Sequence, residues 1–131
     1  MNEFARSQWT KAARALASAA AILDMDPDSA ASRAYYAAFH GLTAVLARRG
    51  LSFTKHTAVR AALHRDLIQV GLLPADLGRD YDYLLDLRET ADYGGVAEAS
   101  RASAAKAIEK AAAILVALEP LVFDREENHK S

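Results

Sequence analysis

Only a few side chains in this 131-residue chain have types and spacings that suit chemistry, and most of them are cationic. Arg88 and Asp92 stand four residues apart in one helix-like segment. With Leu77 set to zero and about 100° added per residue, Tyr83, Leu87, Ala91, Leu84, Tyr81 and Leu85 fill one apolar arc. Asp82, Asp86, Glu89, Arg79 and Thr90 fill the other side. Arg88 falls at about 20° and Asp92 at about 60°, both inside the apolar arc. A charge on such a face must be paired, or must face a cleft or a partner. The pair therefore reads in two ways. It is an i,i+4 salt bridge that closes the helix end, or Arg88 sits at the rim of a concave site.

A second group lies upstream. Lys55, His56, Arg60 and His64 occupy the start and one face of a short helical segment, and Arg48 and Arg49 end the segment before it. Together they form a small basic patch, and the unbonded N–H groups of a helix start suit phosphate. The plainer reading is that Arg48 and Arg49 offset the dipole at the end of their own helix. His56 and His64 are eight residues apart, about 12 Å along a helix axis, which is too far to share one metal ion.

Other chemistries find no support. The chain has no cysteine, which removes disulfides, thiolate metal sites and cysteine nucleophiles and fits a cytoplasmic location. There is no phosphate-cradling glycine loop and no H-E-x-x-H pair. The acidic residues are scattered, and nothing implies a metal ion or a cofactor. The net charge of −1 is unlike the strongly basic footprint of a protein that holds duplex nucleic acid by electrostatics alone.

The elements that must position these residues follow from composition and punctuation. Thirty of the 131 residues are alanine and sixteen are leucine, the strongest helix formers, so the expected class is all-α. The expected architecture is one up-and-down bundle of about five helices over residues 1–120, with a polar, frayed tail over 121–131. No run is long and apolar enough for a transmembrane helix. The apolar stretch from Ala15 to Leu23, preceded by Lys11 and Arg14, has the look of a secretory leader. Trp9, Ala12, Ala13, Leu16, Ala20 and Leu23 nevertheless recur at helical spacing, which predicts a first amphipathic helix from Asn2 to Asp24.

Asp26-Pro27 predicts an N-cap and first turn, and Gly50 a C-terminal stop, for a second helix over 27–49. The third is expected from Lys55, capped by Thr54, to Val70 with Gly71 as its stop. The fourth runs from Pro74 or Asp76 to Asp92 or Tyr93, before Gly94-Gly95. The fifth spans Val96 to Leu118, ended by Pro120. On the second helix Val45, Ala38, Leu42, Tyr35, Leu46, Phe39, Thr43 and Tyr36 form one half of the wheel, with Arg33 and His40 just beyond its edge. The other half carries Ala34, Ala37, Gly41 and Ala44. That small face implies central burial, a subunit contact or a bare alanine surface.

Three segments then carry a resemblance. They are Ser32-Arg33-Ala34-Tyr35-Tyr36-Ala37-Ala38-Phe39-His40, Gly50-Leu51-Ser52-Phe53-Thr54-Lys55-His56 and Arg88-Glu89-Thr90-Ala91-Asp92-Tyr93. Together they resemble the prokaryotic HEPN family (higher eukaryotes and prokaryotes nucleotide-binding) over roughly residues 5–118. The resemblance implies a homodimeric helical bundle that binds RNA or a nucleotide. It implies the toxin-side member of a toxin–antitoxin-like pair whose other member is a minimal nucleotidyltransferase. Its ribonuclease branch cuts RNA without metal, using an arginine, then four to six intervening residues, then a histidine. Arg88 matches the arginine, but Tyr93 stands where the histidine belongs, and a phenol with a pKa near 10 is a poor base at neutral pH.

Under the resemblance the expected catalytic group is Arg88, Asp92, Tyr93 and His56. Asp92 would orient Arg88, and His56 or His40 would reach the site across the fold. Tyr36, Arg33, His40, Lys55 and Arg60 are the expected RNA- or nucleotide-binding residues. The alternative is a non-catalytic dimeric module that binds a nucleotidyltransferase partner.

Overall fold

The computed structural model describes residues 2–93 and 99–123; the side chains of Asp92 and Tyr93 lie outside the described residues. Five helices follow one another: α1 (Glu3–Ile22), α2 (Pro27–Arg48), α3 (His56–Ala62), α4 (Ala75–Tyr93) and α5 (Arg101–Val122). A π-helical stretch, Leu63–Ile68, continues α3 without a break.

Local chemistry explains most of the boundaries. The Asn2 side chain accepts from the Ala5 N–H at 2.7 Å and starts α1. Asp26 accepts from the Ser29 N–H at 3.1 Å and from the Ser29 hydroxyl at 2.6 Å, with Pro27 in the first turn of α2. Ser100 caps α5 by accepting from the Ser103 N–H at 3.0 Å. Each cap satisfies a donor that the helix itself leaves open. Gly50 ends α2 with φ +78°, a left-handed conformation that side chains resist.

Three expected boundaries move. Lys55, not Thr54, is the residue before α3, and it caps without its side chain. Helix α5 begins at Arg101 rather than Val96, because Ser100 is the residue that caps it. It also runs through Pro120 to Val122, so residues 121–122 belong to the bundle and not to a tail. Proline reads as a stop in the sequence, but its ring lies on the exposed side of the last turn, while Leu118 and Val122 are buried. Arg48 completes that end, donating its Nε–H to the Val122 carbonyl at 2.8 Å. Arg48 therefore serves the carbonyl end of α5. The rest of the expected tail, 124–131, and Gly94-Gly95 lie outside the described residues.

Helix α2 is the axle of the bundle. Its two broad contacts are with α1 and α5, and α4 and α3 close the remaining side. The small face meets α1 and α5, with Ala34, Ala37 and Ala44 fully buried, so it is covered within the chain. From the opposing side α1 presents Ala5, Ala12 and Ala19, a seven-residue repeat of fully buried alanines that lets two backbones approach closely. Gly41 marks the tightest point. A Cβ there would come 2.5 Å from Leu115 Cδ2, 3.3 Å from Leu118 Cδ1 and 3.4 Å from Trp9 Cζ3. The large side of α2 places Tyr35, Leu42, Val45 and Leu46 in the core with Leu63, Leu67, Tyr81 and Leu84 from the π-helical stretch and α4.

Gly41→Val should lower stability by about 1–3 kcal/mol, the usual cost of overpacking a filled core. Urea denaturation would read this as a lower midpoint with an unchanged slope. An unchanged midpoint would show that α5 does not lie this close to α2.

Candidate functional site

On the polar fringe of that core, α2, α3 and α4 meet. Arg88 of α4 donates from Nη2 to the Tyr36 hydroxyl at 2.9 Å. Its guanidinium carbon lies 5.4 Å from the Tyr36 ring centre and 5.6 Å from that of Tyr35, within cation–π range. A planar arginine fits such a seat where a lysine would not. Inside the apolar arc of α4, Arg88 thus faces the two tyrosines of α2.

Tyr35 is fully buried, yet its hydroxyl is engaged. It lies 2.8 Å from His56 Nδ1 and accepts from the Tyr81 hydroxyl at 3.4 Å. His56 opens α3 and is wedged among rings: Phe39 stacks on it at 4.3 Å, Tyr35 at 5.7 Å, and Tyr36 meets it edge-on at 5.8 Å. Burial, and then the nearby positive charge of Arg88, hold the His56 imidazole below its ordinary pKa. Burial raises the pKa of Tyr35, and burial likewise dominates the rise at Tyr81, so both phenols stay protonated. The result is a neutral imidazole, anchored through Nδ1, beside a fixed guanidinium.

Other expected residues take varied places. His40 lies one turn beyond Tyr36 on α2, 6.1 Å ring to ring, and its Nδ1 is 2.8 Å from Gln8 Oε1 of α1. Burial, then the charge of Lys11, then His56, keep His40 below its ordinary pKa. Arg33 is exposed on α2 one turn before Tyr36, and both line two cavities of about 320 Å³ on either side of them. Lys55 is exposed next to His56. Arg60 is turned away to α4, where its Nε donates to Asp82 at 2.8 Å, with His64 Nε2 3.6 Å from the same oxygen. Four members of the basic patch are therefore divided: Arg48 to Val122, Arg60 and His64 to Asp82, and His56 to the ring cluster. The expected orientation of Arg88 by Asp92, and any role of the Tyr93 side chain, lie outside the described residues.

Sequence reasoning missed Gln8, which fixes His40, and Tyr81, which extends the hydroxyl chain. It also missed Lys11 and Arg14, which line one of the two cavities. For the last two a signal existed: Lys11, Arg14 and Ser18 repeat the i, i+3, i+7 spacing of Arg33, Tyr36 and His40.

Known proteins share this architecture and its chain. The family model described as HEPN domain matches residues 5–121, nearly all of the bundle. The chain belongs to the HEPN domain family. A UPF0332 protein of Thermotoga maritima is 38% identical over 96 residues, 73% of each chain. TT1696 of Thermus thermophilus, a crystal structure, aligns over 92% of this chain and 99% of its own with a TM-score of 0.76. At 24% identity that likeness concerns the fold alone. HEPN domains form a nucleotide- and RNA-binding family, and they often dimerise. Among the described residues no helix is long and apolar enough to cross a membrane.

The two depressed imidazoles make this HEPN domain's stability pH-dependent. Near pH 6.5 the folded chain binds fewer protons at His40 and His56 than the unfolded chain does. Stability is then fully present above pH 6.5 and declines as pH falls below it, towards the folded-state pKa values. Urea midpoints taken from pH 7.5 to pH 5 should fall, and the decline should be shallower in His40→Gln and His56→Gln. Midpoints that rise on acidification would mean that the imidazoles gain rather than lose protons on folding.

Proposed function

We propose that this HEPN domain binds single-stranded RNA at the Arg88–Tyr36 pair and cleaves it without metal, with His56 standing in for the histidine that Tyr93 replaces. The observation that carries this reading is the seating of Arg88 on Tyr36 beside the anchored His56. A guanidinium so held is oriented for a phosphate before the ligand arrives, and it stabilises charge that develops on the phosphoryl oxygens. Tyr36, half-buried at the edge of the cluster, offers a ring on which a base can stack.

The proton chemistry follows from the tautomer of His56. When Nδ1–H donates to the Tyr35 oxygen, Nε2 carries the lone pair of a general base. The depressed pKa keeps the imidazole unprotonated at neutral pH, as a general base must be. His56 would take the proton of the ribose 2′-hydroxyl as its oxygen bonds to phosphorus. The bond from phosphorus to the 5′-oxygen then breaks, that oxygen takes a proton from water, and a 2′,3′-cyclic phosphate remains.

We read the protein further as the toxin-side member of a toxin–antitoxin-like pair with a minimal nucleotidyltransferase, acting as a homodimer. Support for this is the family membership. Tyr93 at the motif position favours a second reading, a dimeric module that binds the nucleotidyltransferase without cleaving RNA.

Incubation of the purified protein with single-stranded RNA in EDTA separates the two. Arg88→Ala should slow cleavage by about 10²–10³-fold. His56→Gln should slow it by about 10²-fold or more while RNA affinity changes little. Cleavage unaffected by Arg88→Ala would remove the site from this position. No cleavage by the wild type, with a nucleotidyltransferase co-purifying, would favour the module.

A further inference from the structure

A cavity of about 320 Å³ opens between α1 and α2, on the side of Tyr36 that faces the amino-terminal helix. Its polar walls are Lys11, Arg14 and Ser18 from α1 and Arg33, Tyr36 and His40 from α2. Each helix contributes residues i, i+3 and i+7, one stripe down one face, and the antiparallel packing of α1 on α2 brings the stripes together. Ala15 supplies a small floor between them.

The charge of this cavity sets it apart. Three permanent cations line it, and no carboxylate does. Five other described cations sit on acids, Arg60 on Asp82, Arg65 on Asp66, Arg79 on Asp76, Arg101 on Asp24 and Lys110 on Asp80, whereas here three gather with none. The three cations reach this rim exposed to solvent from two helices, and together they set up a positive potential over the cavity that an anion would offset. Lys11 lies close enough to His40 for its charge to weigh on the imidazole. Gln8, itself buried, holds that imidazole by its Nδ1 at the cavity wall.

We infer that this cavity is a second phosphate site, in which Lys11, Arg14 and Arg33 hold a phosphoryl group next to the one at Arg88. Tyr36 is the hinge between the two, since it lines the cavity and accepts from Arg88. Two phosphate seats on either side of one aromatic ring fit the repeat of a single strand, phosphate, base, phosphate. The volume lies at the lower end of the range for ligand pockets, about 300–1,000 Å³, a size for one phosphate with its sugar. The ligand's identity as RNA rests on the reading of the Arg88 site above. The capture of a phosphoryl group rests on this cavity alone.

Two measurements test the inference and keep it apart from that reading. The first is the affinity of a short fluorescent single-stranded RNA over a salt series. Lys11→Ala with Arg14→Ala should weaken binding by about tenfold or more. The slope of log affinity against log salt should fall by about 0.7 for one lost phosphate contact. Ser18→Asp, which puts a carboxylate into the cavity, should weaken binding alike. Arg65→Ala with Arg79→Ala, the same charge change on a remote surface, should not. Unaltered affinity in the Lys11 and Arg14 double variant overturns the inference, as does an equal loss in the remote control.

The second measurement is titration of the wild type with inorganic phosphate, followed by backbone amide shifts in NMR. Shifts at Arg14 and Ser18 that vanish in the double variant support a phosphoryl site even if RNA fails to bind. In that case it is the preceding reading that falls. No phosphate shifts at α1 overturn the inference.

Discussion

The bundle depends on one constraint, that its own chain covers most of α2 and leaves only the stripe through Arg33, Tyr36 and His40 partly open. A helix in that position has a narrow solvent face, so outside that stripe its residues divide by size rather than by polarity. The small half admits the backbones of α1 and α5, and the bulky half fills the space left by α3 and α4. The alanine content that would suggest a thin core is the means by which three helices close on one another. Dispersion between closely packed backbones takes over part of what larger side chains contribute in other cores.

The site is a by-product of the same division. Aromatic rings at the edge of the bulky half cannot bury their hydroxyls without partners, so the hydroxyls recruit polar groups from neighbouring helices. Tyr35 draws His56 from α3 and Tyr81 from α4, and Tyr36 draws Arg88. What holds the fold at this edge is thus also what gathers a cation and an imidazole in one place. Each member of this polar chain is held by at least one neighbour from another helix.

Much of this is legible in the residues. Asp26-Pro27 and Gly50 bracket α2 because their chemistry acts within a few residues of the boundary. Arg88 stands out because a charge at about 20° on an apolar wheel needs an explanation, and the tyrosines of α2 are that explanation. Other features have no local signature. Proline reads as a stop, and only the packing of Leu118 and Val122 shows why α5 passes through it. Lys11 and Arg14 do share a spacing with Arg33 and His40, but that spacing gains meaning only once α1 is laid against α2. The basic patch assembled from residues 48–64 dissolves because its members answer to three different neighbours, and the distance along the chain says nothing of that.

The π-helical stretch carries a different kind of consequence. Between His64 and Gln69 the backbone bond spans five residues, at 2.9 Å, so this segment holds more chain per turn than a regular helix. Loss of a single residue from 63–68 would restore the regular ladder at little local cost. It would also turn α3 by about 100° about its axis and carry His56 off the Tyr35 and Phe39 rings. The place of His56 thus depends on the number of residues in this stretch as well as on the rings that hold it. A one-codon deletion in this segment would move the ring cluster without touching any of its members, whereas a substitution along the same helix leaves its phase intact.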